Sequence, residues 1–210
     1  MGDHFSAMNV PRSHLRFLAG IVALLLAVSV SAWETRPRDL NIDLSGGGSV
    51  ANSHGRSDFR SIHFEIASPW NPIARWVRRI ESGAAVTYSD IRQPRSWFGH
   101  RDGDPDDSVR GESAYFFLRH RWRSAAAIRP YLDLGTGPMW SNRRVPAATS
   151  RLNASSQFTL GVVLGTQSRF PLHAGYRFSH ISNGGITGRN PGLNVQSVFI
   201  GIRAATFNRP

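Results

Sequence analysis

After residue 32 the chain consists of short segments that alternate apolar and polar residues, separated by turn-forming residues. The clearest segment places Phe158, Leu160, Val162 and Leu164 on one face, with mostly small residues opposite. A period of two is that of an extended strand, whose successive side chains point to opposite faces. The same period recurs in residues 61–66, 113–122, 131–135 and 197–202. The pattern predicts an all-β protein.

Two architectures share this period, a soluble β-sandwich and a membrane β-barrel. In a membrane barrel the apolar face contacts lipid, and small and polar residues fill the lumen. Strands of about 9–11 residues span a bilayer at the usual tilt, and seven or eight candidates run from near Leu40 to near Phe207. We therefore predict an eight-stranded antiparallel outer-membrane β-barrel, closed so that no strand edge remains. A soluble periplasmic sandwich is the alternative.

Residues 1–32 read as a cleavable signal peptide. Arg12 and Arg16 are basic, 18–28 form an apolar core, and Val30 and Ala32 are the small residues that precede a cleavage site. The apolar run is shorter than the roughly 20 residues that a transmembrane helix needs. We expect residues 33–210 to form a single barrel domain in the bacterial outer membrane.

The composition narrows the classes of ligand. The chain has no cysteine, which excludes a disulfide scaffold and a thiolate metal site. It carries a formal charge of +11, and all 25 of its basic residues are arginine. Guanidinium groups bind phosphate and carboxylate oxygens in pairs, so the chain suits an anionic surface. Phosphorylated lipid fits an exported protein better than nucleic acid, because no aromatic residues are interleaved with basic clusters.

Polar segments between the candidate strands are predicted to be loops. Residues 95–112 contain Asp102, Asp104, Asp106 and Asp107, but their spacing departs from a calcium loop, so a solvated loop is expected. Residues 142–150 form a second loop, in which Arg143 and Arg144 are candidates for contact with lipid phosphates. The following histidines are expected in the barrel lining or in loops, without metal-ligand spacing: His63, His100, His120 and His173.

One segment carries candidate chemistry. His180 and Ser182 lie two residues apart on a strand-like run, so their side chains share a face and can act as base and nucleophile. Tyr176 and Phe178 have the same parity, while Arg177 has the opposite one. Because an arginine belongs in a polar lumen, His180 and Ser182 should face outward, toward lipid.

This segment, His180-Ile181-Ser182-Asn183-Gly184-Gly185 followed by Asn190-Pro191-Gly192, resembles the PagL-type lipid A 3-O-deacylase (acyloxyacyl hydrolase) family. The likeness extends more loosely over residues 129–135 and the final strand. It implies an eight-stranded outer-membrane barrel that hydrolyses the 3-linked acyl ester of lipid A, with its catalytic groups on the lipid-facing outside.

The resemblance also implies roles for individual residues. His180 would be the general base and Ser182 the nucleophile, with the Asn183 side chain and the Gly185 N–H as oxyanion donors. No cofactor and no metal are implied. The expected partners are lipid A or lipopolysaccharide and membrane lipid, not nucleic acid, and a homodimer is left open.

Asn194 departs from the family pattern, which has a glutamate 14 residues after the histidine. A carboxylate would stabilise the imidazolium that forms as the serine loses its proton, whereas an amide can only orient the ring. Three alternatives follow: Asn194 is a weaker orienter in a slow esterase, another carboxylate serves, or the barrel is catalytically silent and has a structural or lipid-binding role. Asp133 is a poor substitute, because its parity points into the lumen.

Overall fold

The computed structural model describes residues 38–49, 58–68, 80–92, 108–122, 127–146, 149–186, 190 and 192–207 of the 210-residue chain. Eight strands occupy these ranges: β1 Arg38–Ser49, β2 Asp58–Ser68, β3 Ile80–Arg92, β4 Ser108–Arg121, β5 Ile128–Ser141, β6 Leu152–Leu164, β7 Leu172–Ser182 and β8 Leu193–Phe207. The predicted signal peptide lies outside the described residues and stays a prediction.

Each strand pairs antiparallel with the next, and β1 pairs with β8, which closes the barrel. The predicted fold class is therefore confirmed, together with the approximate start and end of the strand series. Closure satisfies the backbone hydrogen bonds of every strand without leaving an edge. None of the described residues forms a helix of the length and apolarity that a membrane crossing requires.

One predicted loop boundary is wrong. The sequence predicts a loop up to Glu112, but β4 begins at Ser108, and its first five residues pair with the end of β3. This stretch reverses the usual polarity, because the apolar Val109 faces the lumen and the charged Arg110 is exposed. The apolar–polar alternation therefore does not reveal it. The four aspartates at 102, 104, 106 and 107 lie outside the described residues.

The outer face of the barrel is apolar. Its exposed side chains include Leu44, Phe64, Phe116, Leu134, Leu160, Val198 and Ile200. Phe158 and Leu160 of the stripe predicted on β6 are exposed, and Val162 and Leu164 are half-buried. The inward parity predicted for Arg177 is confirmed by its burial. An apolar exterior around a polar lumen is the arrangement of a barrel that spans a membrane.

The lumen is held together by buried ion pairs. Arg119 donates two hydrogen bonds to Glu65 and two to Asp133, each at 2.7 Å. Arg177 makes a second fork with Asp43, at 3.0 and 3.1 Å. Buried charges are tolerated when they are paired and hydrogen-bonded in this way.

A cluster of apolar side chains fills one end of the lumen, the end at which β7 finishes and β8 begins. This end is called the loop end of the barrel. The members of the cluster are Phe59, Ile91, Val109, Met139, Val145, Ile181, Leu193 and Val195. Ile181 alternates with His180 and Ser182 along β7, and Leu193 and Val195 alternate with Asn194 along β8. The candidate site on the outer face is thus backed by a packed apolar wall.

Candidate functional site

The predicted site lies where β7 ends and β8 begins. His180 is the cross-strand partner of Asn194, and Ser182 is the last residue of β7. The turn between the strands contains Gly184, Gly185 and Gly192, all with positive φ. Glycine adopts this conformation without the clash that a Cβ brings, which explains the spacing of glycines after the His-x-Ser segment.

His180 and Asn194 are in direct contact. The Nδ1 of the ring donates a hydrogen bond to the Asn194 Oδ1 at 2.7 Å. Because an amide oxygen can only accept, this contact requires the proton on Nδ1 and leaves the Nε2 lone pair available as a base. Asn194 therefore occupies the place of an orienting acid while contributing no charge.

Ser182 shares the outer face with His180, as its parity predicts, and both residues are half-buried. Among the described residues, no hydrogen bond joins the Ser182 hydroxyl to the His180 ring. Ser182 instead has Ala154 of β6 as its cross-strand partner, so a small side chain lies beside the hydroxyl. Contacts between a nucleophile and its base are commonly loose in the absence of substrate.

Asn183 and Gly185, the predicted oxyanion donors, bind each other. The Gly185 N–H donates to the Asn183 Oδ1 at 2.9 Å, and the Asn183 N–H donates to the Asn190 Oδ1 at 3.1 Å. Asn183 is only 3% exposed. Its side chain thus caps the turn, and the Gly185 N–H is engaged by that cap.

The outer surface around His180 follows the strand register. Level with His180 lie polar residues: Ser156 is its partner on β6, and Thr136 is the partner of Ser156 on β5. The hydroxyls of Thr136 and Ser156 are 2.9 Å apart and hydrogen-bonded. An apolar row lies two residues farther along each strand, away from the loop end of the barrel. In this row Leu134, Phe158 and Phe178 are consecutive cross-strand partners. The site is a polar row directly above an apolar surface.

Sequence reasoning missed two features of this surface. The hydroxyl pair depends on strand register, which an alternating pattern does not specify. Gly192 lies against the His180 ring, since a Cβ built on it would be 2.8 Å from Cε1. The Asn-Pro-Gly run that ends at Gly192, two residues before Asn194, was the available signal, but spacing alone does not reveal the contact.

Three of the other candidates, Asp133, His63 and His173, lie inside the barrel. Asp133 is buried in the lumen and paired with Arg119, in agreement with its predicted parity, and does not contact His180. His63 and His173 are also buried there, while His100 lies outside the described residues. The prediction for His120 is wrong: it lies on β4 next to the buried Arg119, so strand alternation turns it to the outer face, where its ring packs against Trp122 with the ring centroids 4.8 Å apart. No group of three or more metal-ligating side chains occurs within the described ranges. The absence of a cofactor stays a prediction.

Comparison with known proteins identifies relatives of this barrel. The family model described as Lipid A 3-O-deacylase (PagL) matches residues 62–203, about two thirds of the chain. No curated protein matches. The crystal structure of the outer membrane enzyme PagL aligns with a TM-score of 0.55 and 14% identity, covering 77% of this chain and 97% of that one.

A second solved structure, that of Neisserial surface protein A (NspA), aligns with a TM-score of 0.52 and 13% identity. The alignment covers 79% of this chain and 96% of that chain. At this level of identity both likenesses show the barrel fold alone. They agree with the small closed barrel of antiparallel strands that this chain forms.

Proposed function

The chain belongs to the lipid A 3-O-deacylase (PagL) family and resides in the bacterial outer membrane, and from this premise we propose that it hydrolyses the 3-linked acyl ester of lipid A by serine catalysis. The observation that carries the proposal is the hydrogen bond from His180 to Asn194 on the outer face. It fixes the ring tautomer that a general base needs. The ring is also at the lipid-facing surface, where an acyl ester would lie.

In the proposed reaction the Ser182 Oγ attacks the ester carbonyl carbon while His180 Nε2 takes the hydroxyl proton. The tetrahedral intermediate collapses, the bond from carbonyl carbon to sugar oxygen breaks, and His180 returns the proton to that oxygen. Water then attacks the acyl carbon and loses a proton to His180. The bond from that carbon to the Ser182 Oγ breaks, His180 returns the proton to the Ser182 Oγ, and the free fatty acid leaves. No cofactor takes part in these steps.

We propose that the Gly185 N–H and the Asn183 side chain stabilise the oxyanion. The hydrogen bond between them keeps the turn ordered before reaction. An oxyanion is a stronger acceptor than an amide oxygen, so it can replace Asn183 Oδ1 at the Gly185 N–H. One oxyanion donor is worth about 10²–10³ in turnover, and breaking the hydrogen bond from Gly185 to Asn183 reduces this gain.

The apolar row beside the site suits the acyl chain of the substrate. Leu134, Phe158 and Phe178 form the apolar row next to the polar row that contains His180. Leu160 and Val198 extend this apolar surface farther from the loop end. The headgroup phosphates would contact arginines at the end of the barrel that carries His180 and Ser182. Among the described residues, the exposed arginines at that end are Arg60, Arg92, Arg110, Arg144 and Arg151. This combination supports a substrate with an anionic head and apolar chains, and not a nucleic acid.

The proposal is tested with Ser182→Ala and His180→Ala expressed in a host whose lipid A retains the 3-linked chain. Mass spectrometry of lipid A should show loss of that chain with the wild type and its retention with either variant. Heat-modifiable migration in electrophoresis checks that each variant barrel is folded. Full deacylation by both folded variants would rule the mechanism out.

A second candidate function is a catalytically silent barrel with a structural or lipid-binding role. Two observations favour it: the neutral Asn194 stands in place of an acid, and in the described part of the chain the Ser182 hydroxyl makes no hydrogen bond to the His180 ring. A silent barrel would leave lipid A unchanged when the wild type is overexpressed.

The possible homodimer stays a prediction, and crosslinking in membranes would detect it.

A further inference from the structure

We propose that Gly192 is a positioning residue for the reaction, because its missing Cβ provides the space in which the His180 ring sits. The inference deepens the function proposed above and rests on it for its catalytic meaning. Gly192 and Asn194 are two residues apart at the start of β8. Together they hold two sides of one ring, Asn194 by a hydrogen bond and Gly192 by close approach.

The approach is closer than any side chain allows. A Cβ built on Gly192 would lie 2.8 Å from Cε1 of His180, 3.6 Å from Nε2 and 3.7 Å from Nδ1. Carbon atoms make favourable contact at about 3.5–4.0 Å. An added methyl group would therefore push the ring away from Gly192 or force the strand start to move.

The ring cannot yield without losing its orientation. Its Nδ1 is fixed to Asn194 at 2.7 Å, and hydrogen bonds weaken steeply as their geometry departs from linear. A displaced ring would lose the contact that keeps the proton on Nδ1. A side chain at position 192 would also lie alongside Nε2, the atom that takes the serine proton.

Positive φ alone does not explain Gly192. Its φ is +65°, and Gly184 in the same turn has a φ of +64° with no atom within 4 Å of its built Cβ. The two glycines thus share the backbone requirement but differ in the contact with the ring. Gly184 is therefore a matched control for the strain that a substitution introduces.

The test uses substitutions to asparagine, which tolerates positive φ better than other side chains and still adds a Cβ. Gly192→Asn, Gly184→Asn and the wild type are prepared as full-length folded barrels in micelles with ¹⁵N-labelled histidine. The ring ¹⁵N shifts of His180, assigned by their loss in His180→Ala, report which nitrogen carries the proton. Asn194→Ala serves as the reference for a ring without its partner.

We expect the wild type and Gly184→Asn to show the Nδ1–H tautomer, and Gly192→Asn to resemble Asn194→Ala. In deacylation assays Gly192→Asn should lower kcat at least about tenfold with little change in KM, because the substrate surface is untouched. An unchanged His180 signal in folded Gly192→Asn would overturn the inference. So would failure of Gly192→Asn alone to fold, since Gly192 would then be required by the turn.

The ring signal also separates this inference from the proposed function. If the wild type releases no fatty acid but Gly192→Asn still alters the His180 tautomer, the esterase proposal fails and the positioning role of Gly192 stands as a property of the ring.

Discussion

Asn194 accepts a hydrogen bond from His180 at 2.7 Å across the β7–β8 pair, on the outer face of the barrel. An amide therefore takes the position of an acid. It holds the His180 ring in the tautomer of a general base but supplies no negative charge to stabilise the imidazolium. The geometry of an acid–base pair is present and its electrostatic part is missing. Loss of the acid's charge costs about 10⁴ in turnover in a serine protease, which makes Asn194 the residue that decides between a slow enzyme and a silent barrel.

We predict that Asn194→Asp and Asn194→Glu raise the rate of fatty-acid release by at least about tenfold, because each restores a charge that stabilises the imidazolium. Asn194→Ala should lower the rate, since it removes the group that orients the ring. The measurement is the release of the 3-linked chain from purified lipid A in micelles. If neither acidic variant gains over the wild type, the silent barrel is the better description.

The arginines at the loop end lead to a prediction about substrate binding. Arg144→Gln and Arg151→Gln together should raise KM and leave kcat nearly unchanged, because both side chains are exposed and lie beyond the strand ends. The effect should shrink at high salt, where exposed charges are screened. Arg129→Gln at the opposite end is the matched control and should leave KM unchanged. An equal KM for all these variants would contradict headgroup docking by these arginines.

The lumen gives a prediction about stability. Arg119→Met removes the guanidinium that pairs with both Glu65 and Asp133. Among the described residues, Glu65 then keeps only its contacts with Asn41 and His63. Breaking a buried pair in this way costs about 3–5 kcal/mol. Urea-induced unfolding in lipid vesicles should show a loss of this size. Arg129→Met, at an exposed position, should change the free energy of unfolding little; similar losses for both variants would argue against the network.

The close fit of rings over glycines gives a second stability prediction. A Cβ on Gly161 would lie 2.4 Å from Cζ of Tyr131, whereas one on Gly46 meets nothing within 4 Å. Gly161→Ala should therefore destabilise the barrel by about 1–3 kcal/mol through overpacking, with Gly46→Ala close to neutral. The same unfolding measurement checks both. Equal stability of the two variants would mean that Tyr131 has room to move.

The fold was predictable because each strand separates lipid-facing from lumen-facing residues. Parity alone assigns Leu160 to the lipid-facing side and Arg177 to the lumen, and both assignments are confirmed. The start of β4 was not predictable, since Val109 and Arg110 reverse the usual polarity. Parity likewise places His180 and Ser182 on one face, but it says nothing about neighbouring strands.

The site was predictable only in part for the same reason. The pairing of His180 with Asn194 depends on the register of β7 against β8, which was expected from a family spacing and not from physical pattern. Strand register places Ser156 opposite His180, and the turn brings Gly192 against the His180 ring. A period of two fixes which face a residue takes, whereas a contact across strands needs the pairing itself.

The lipid-facing surface supplies a last prediction. Leu160 lies in the interior of β6 and is 49% exposed on the outer face, whereas Ile128, 50% exposed, is the first residue of β5. Arginine on the lipid face costs about 2–4 kcal/mol at the bilayer midplane and about 0–1 near the interfaces. Leu160→Arg should therefore lower the free energy of unfolding in vesicles far more than Ile128→Arg, although the two positions are almost equally exposed. In a soluble sandwich residues 160 and 128 would both be exposed to water, and the two substitutions would lower the free energy of unfolding by similar amounts.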